Sequence, residues 1–131
     1  MKTNKNKTGS AKRRSRGILS GIAHIRCSFN NTLVTITDLN GNTLNWSNGG
    51  RVGFKGSRKA TPFAGGKSST AAATESIAIG LKSVDAKISG FGPGRDLAIR
   101  NLYSSGLKIN SITDVTPLPH NGVRPSKKRR I

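Results

Sequence analysis

From Ile22 to Phe29, apolar Ala23, Ile25, Cys27 and Phe29 alternate with Ile22, His24, Arg26 and Ser28. This is the period of two expected of a strand with one buried face, and it puts Phe29 on the buried side. Asn30-Asn31 supplies a turn, and Thr32 to Thr37 (T-L-V-T-I-T) is β-branched enough for a second strand. Asn40-Gly41-Asn42 then favours a hairpin into a third strand at 43–47. Residues 48–66 hold six glycines and no period, so they read as an irregular loop. Ser68 to Leu81 predicts a helix, with Ser and Thr to cap it, Ala71 to Ala73 inside it, and Ile77 and Leu81 four apart on one face. A short strand is expected at 85–89. A second helix should run from Arg95 or Asp96 to Ser105, with Ala98 and Leu102 inward and Gly106 as its left-handed terminator, and a last strand at 107–115. The order β-β-β-α-β-α-β predicts an α/β fold: a mixed five-stranded sheet flanked by two helices, its first three strands antiparallel.

Charge changes the picture. The chain has 131 residues, 23 Lys and Arg against 5 Asp and Glu, and a net charge of +18. Twelve of those charges lie at the ends. Lys2, Lys5, Lys7, Lys12, Arg13, Arg14 and Arg16 precede the first strand, and Arg124, Lys127, Lys128, Arg129 and Arg130 follow Pro119, with no acid in either segment. Five more cations, Arg51, Lys55, Arg58, Lys59 and Lys67, share the acid-free loop region. The organisation expected is a basic extension at 1–16, a globular body at 17–119 and a basic tail at 120–131, the ends being disordered. Two such tails repel each other and stay extended until a polyanion neutralises them. Residues 1–16 also fit an organelle transit peptide, as the competing reading.

Several kinds of chemistry drop out. One cysteine (Cys27) and two histidines (His24 and His120) build neither an internal disulfide nor a tetrahedral zinc site, and no cofactor is expected. No apolar window approaches the roughly 18 residues of a membrane span. His24 and Cys27 point to opposite faces of their strand, so a surface histidine and a core cysteine are expected. The five acids are scattered at turns and helix starts, where capping accounts for them. No catalytic residues are assigned and an enzyme is not expected, a metal-dependent nuclease being the most distant reading.

Gly66-Lys67-Ser68 lacks the upstream glycine of a phosphate-binding P-loop, since Thr61 stands there. In Gly90-Phe91-Gly92-Pro93-Gly94-Arg95 the third glycine of a dinucleotide fingerprint is replaced by Arg95. What is left is a glycine turn at a helix start that suits a phosphate, or a plain turn capped by Asp96. The stretch from Gly53 to Phe63 joins three cations to the rings of Phe54 and Phe63, the ingredients for following an RNA backbone and stacking on bases. The alternative is that the rings anchor the loop. RNA is favoured over duplex DNA because the cations sit in loops and tails and no helix bears a base-reading face. A nucleoid-type protein coating DNA is the rival reading. Asn121-Gly122 is flexible enough for the following nitrogen to attack the amide, so slow isoaspartate formation is expected there, or else a plain turn.

The segments Cys27 to Asp38 (C-S-F-N-N-T-L-V-T-I-T-D), Gly53 to Ala64 (G-F-K-G-S-R-K-A-T-P-F-A), Gly92 to Arg95 and Asp114 to Arg130 resemble the bacterial and organellar form of the eleventh small-subunit ribosomal protein family. Four ordered motifs over residues 17–131 are specific. The resemblance implies a structural protein of the small-subunit platform, on the central domain of its RNA near the messenger exit path. It further implies ribosomal protein neighbours and messenger RNA as a further contact. Localisation would be the ribosome of a bacterial cytoplasm, plastid or mitochondrion. It assigns RNA contact to Lys55, Arg58 and Lys59, to Arg95, and to His120, Asn121, Arg124 and Lys127 to Arg130. Arg51, Arg100, Lys12, Arg13, Arg14 and Arg16 are counted with them as basic positions. Gly65-Gly66-Lys67-Ser68 departs from the family's helix-favouring start, Gly90-Phe91 from a Gly-Pro pair, and Val123 and Ser126 from Cys and Pro.

Overall fold

The computed structural model describes residues 18–130. Strand β1 (Ser20–Cys27) pairs antiparallel with β2 (Thr32–Thr37), which pairs antiparallel with β3 (Thr43–Asn48). Helix α1 (Pro62–Ile79) leads to β4 (Ser83–Gly90), and α2 (Arg95–Ser104) leads to β5 (Lys108–Asp114). The sheet order is β3-β2-β1-β4-β5, with β4 parallel to both β1 and β5. The predicted mixed five-stranded α/β fold is the one observed.

Both helices pack together and cover one face of the sheet. The inward positions Ala23, Ile25 and Cys27 of β1, Val34 and Ile36 of β2, and Val84 and Ile88 of β4 form the core with Ala72, Ala73, Ala98 and Leu102 of the helices. The opposite face is open and carries exposed His24 and Arg26. Because β1, β4 and β5 run in the same direction, the chain enters the sheet at one end and leaves at the other. With a rise of about 3.3 Å per residue, the eight residues of β1 put those ends about 26 Å apart.

Three expectations are corrected. Strand β1 ends at Cys27, and Phe29 lies in the following turn at 76% exposure. Helix α1 begins at Pro62, six residues before the expected Ser68: Thr61 is its N-cap, accepting from Ala64 N at 3.2 Å, and proline occupies the first turn, where its missing N–H costs nothing. Gly65 and Gly66 are helical because the helix is pressed against its neighbours there. A β-carbon on Gly66 would lie 2.6 Å from Asn101 Nδ2, and one on Gly65 would lie 3.0 Å from Gly94 Cα. The same helix ends at Ile79, where Gly80 turns left-handed (φ 117°) and Leu81 N reaches back to Ser76 O at 3.0 Å. Leu81 therefore enters the core from outside the helix, while Ile77, expected beside it, is partly exposed.

Where α1 crosses β3 the inward residues are polar. Asn45 Nδ2 donates to Ser76 Oγ at 2.6 Å in a buried contact, and Asn45 Oδ1 has no partner among the described residues. Ser76→Ala strands the whole carboxamide and is expected to lower stability by about 1–3 kcal/mol, read as a drop in the urea midpoint at constant slope.

Candidate nucleic-acid interface

Everything at the exit end of β1, β4 and β5 is tied together. In the β1–β2 turn, Ser28 Oγ accepts from Asn31 N at 3.1 Å, and Asn31 Oδ1 accepts from Thr32 N at 2.8 Å and Gly49 N at 3.1 Å. That last bond fixes the start of the basic loop to the turn. A β-carbon on Gly49 would also lie 3.1 Å from Lys59 Cβ, so the loop folds back over its own root. Residues Gly56–Ala60 form a single 3₁₀ turn with Arg58 and Lys59 at its end, closed by Thr61 N on Arg58 O at 3.3 Å. Part of the expected irregular loop is thus helical.

The two helices begin at this same end, since Gly65 in the first turn of α1 faces Gly94, the N-cap of α2. Both starts bring backbone N–H groups and the positive end of a helix dipole to one place. Gly94 supplies no side-chain cap, and Asp96 sits in the first turn without capping it.

The glycine turn before α2, expected either to suit a phosphate or to be a plain turn capped by Asp96, carries a clasp on the tail through Arg95. Arg95 Nη1 donates to Gly90 O at 2.6 Å, and Nη2 donates to Asp114 Oδ2 at 2.8 Å. Thr116 Oγ1 donates to Asp114 Oδ1 at 2.5 Å and accepts from Gly90 N at 3.1 Å. The hydrogen bonds from Thr116, and then Arg95, hold the Asp114 carboxyl well below the usual carboxylate range. A carboxyl with a lowered folded value contributes fully above its unfolded value near 4, and the contribution disappears as pH falls through the folded value. Asp114 is accordingly expected to remain ionised at about pH 3 in a carboxyl-carbon NMR titration, while free carboxyls protonate. Asp114→Asn should speed hydrogen exchange at the Gly90 amide.

The other expected contact residues fall into three groups. Lys55, Arg58 and Lys59 lie in the loop with no carboxylate partner, since the ion pairs among the described residues are Arg95–Asp114 and Arg51–Glu75. Arg51 is held at 3.2 Å from Glu75, donates to Trp46 O and stacks 5.0 Å from the Trp46 ring. His120, Asn121, Arg124, Lys127, Lys128, Arg129 and Arg130 are all exposed, in chain without helix or strand that leaves the same end, with Asn121 in the left-handed region (φ 62°). Arg100 is not brought to this end; it lies midway along α2, beside a groove lined by Ile99, Tyr103 and Ile112. Lys12, Arg13, Arg14 and Arg16 lie outside the described residues.

The aromatic pair in the loop packs against itself rather than into the core, and Phe63 stays exposed. Phe54 and Phe63 meet edge to face with centroids 5.8 Å apart, and Lys67 Nζ sits 5.3 Å from the Phe63 ring. What the sequence pattern missed is Phe29, hidden by the alternation that runs through it, and Asn31, whose role as a tether has no local signal.

An α/β sheet with basic loops, helix starts and a cationic tail gathered at its strand ends defines the class of basic, polyanion-gripping domains. The chain belongs to the family whose model it matches over residues 21–130, described as ribosomal protein S11. Similar curated proteins include the small ribosomal subunit protein uS11 of Ruthia magnifica subsp. Calyptogena magnifica and that of Vesicomyosocius okutanii subsp. Calyptogena okutanii. Each is 54% identical over 125 residues, spanning 95% of this chain and 98% of the relative.

Proposed function

We propose that this chain is a structural constituent of the small ribosomal subunit, gripping the subunit's RNA with the strand-end face while the sheet and helices set its shape. The observation that carries the reading is the convergence at one end of unpaired Lys55, Arg58 and Lys59, both helix starts and the root of the basic tail. Family membership favours this over the DNA-coating alternative, and the family is one of structural proteins rather than enzymes. In this reading the body is 17–119 and the arms are 1–16 and 120–131. Ribosomal proteins are the neighbours, and the position is the platform, close enough to the messenger exit path to touch messenger RNA. Both relatives come from bacteria, which supports a bacterial ribosome over an organellar one.

Sedimentation of the native protein through a gradient tests the reading: it should travel with small subunits, and a free protein peak overturns it. Binding to a structured small-subunit RNA fragment should also exceed binding to duplex DNA of equal length.

A further inference from the structure

Phe29 and Phe91 are 76% and 70% exposed, and they sit on neighbouring turns at the interface end of the sheet. The turns are in direct backbone contact. A β-carbon on Gly90 would collide with the Cys27 carbonyl oxygen, and one on Gly92 with that of Ser28, so residues on either side of Phe91 are pressed against the strand end that leads into Phe29. Neither turn is loose. Ser28 N donates to Asn31 O at 2.9 Å, Gly90 is bonded to Thr116, and Arg95 clasps the Gly90 carbonyl. Two large rings are thus held out into solvent on a rigid base, so binding through them orders little further chain.

We propose that Phe29 and Phe91 form a stacking site for unpaired RNA bases, a site that rests on the RNA-binding reading above and adds to it the class of nucleotide taken. The surroundings favour a nucleic acid over an apolar protein segment. Arg26 is exposed near the end of the same strand, the N-terminus of α2 opens beside Phe91, and the unpaired cations of the basic loop are tethered to the Phe29 turn through Asn31. A base offers a π face to each ring while its phosphates meet these positive groups; bases inside a duplex are already stacked and have no face to give.

The test compares the full chain with Phe29→Ala, Phe91→Ala and the double variant, binding short single-stranded oligoadenylate RNA and duplex RNA of the same length. Each substitution should weaken single-strand binding about tenfold. Duplex binding and the salt slope should stay unchanged, and Phe29→Trp should retain affinity. Unchanged single-strand binding in the double variant, or equal losses on both RNAs, overturns the stacking site and leaves the RNA-binding reading standing. If the unaltered chain binds neither RNA, both fall. Benzoylphenylalanine in place of Phe29 should photo-crosslink to RNA in intact small subunits, and a crosslink to a protein instead overturns the site.

Discussion

Glutamine at Arg124, Lys127, Lys128, Arg129 and Arg130 together is expected to reduce the slope of log K against log salt by about 4 for a small-subunit RNA fragment. Each neutralised phosphate contributes about 0.7–0.9 to that slope through released counterions, and all five side chains are exposed, with no carboxylate partner among the described residues. Between about 50 and 200 mM salt the affinity of this variant should therefore fall by roughly two decades less than that of the unaltered chain. Thermal stability should not change, since residues 117–130 are all exposed. A variant that keeps the slope of the unaltered chain would show that the tail lies off the RNA. Arg95→Gln serves as the contrast: its guanidinium is already engaged by Asp114 and Gly90, so it should loosen the tail root with little change in slope.

The second large effect is on folding. Gly90→Ala combines a positive φ of 91° with a β-carbon driven into the Cys27 carbonyl. Left-handed strain and overlap with immovable backbone together are expected to cost about 3 kcal/mol. For a domain of this size that lowers Tm by roughly 12–15 °C. Gly53→Ala separates the two causes. Gly53 has φ 103° but open space around it, so only the strain remains, about 1–2 kcal/mol. Equal losses at the two positions would mean that contact between the β1–β2 and β4–α2 turns contributes nothing.

The sheet was legible because its alternation reports burial directly: β2 was placed to the residue, and Ala98 and Leu102 mark the inner face of α2. Two positions show why the pattern failed elsewhere. Gly65 and Gly66 read as loop because glycine usually signals freedom, yet here it permits close approach, a property of the partner helix and invisible in the local sequence. Phe29 continues the apolar rhythm of β1 by one step, and only the turn at Ser28 lifts it out. The cations of the interface were named from the family resemblance together with the distribution of charge. That Arg95 and Arg51 already have carboxylate partners, and that Arg100 stands apart, depends on contacts between residues distant in the chain.

The parallel course of β1, β4 and β5 bears on how the ends of the molecule act. Their points of attachment are separated by about three times the screening distance of about 8 Å at physiological salt, so the like charge at the two roots is mutually almost unfelt. Under the function proposed above, basic segments rooted at these two ends serve as two separate moorings on opposite sides of a rigid spacer rather than as a pair of repelling tails. A molecule moored in that way can hold together stretches of polymer that are remote in sequence, and releasing one mooring leaves the other in place to guide rebinding.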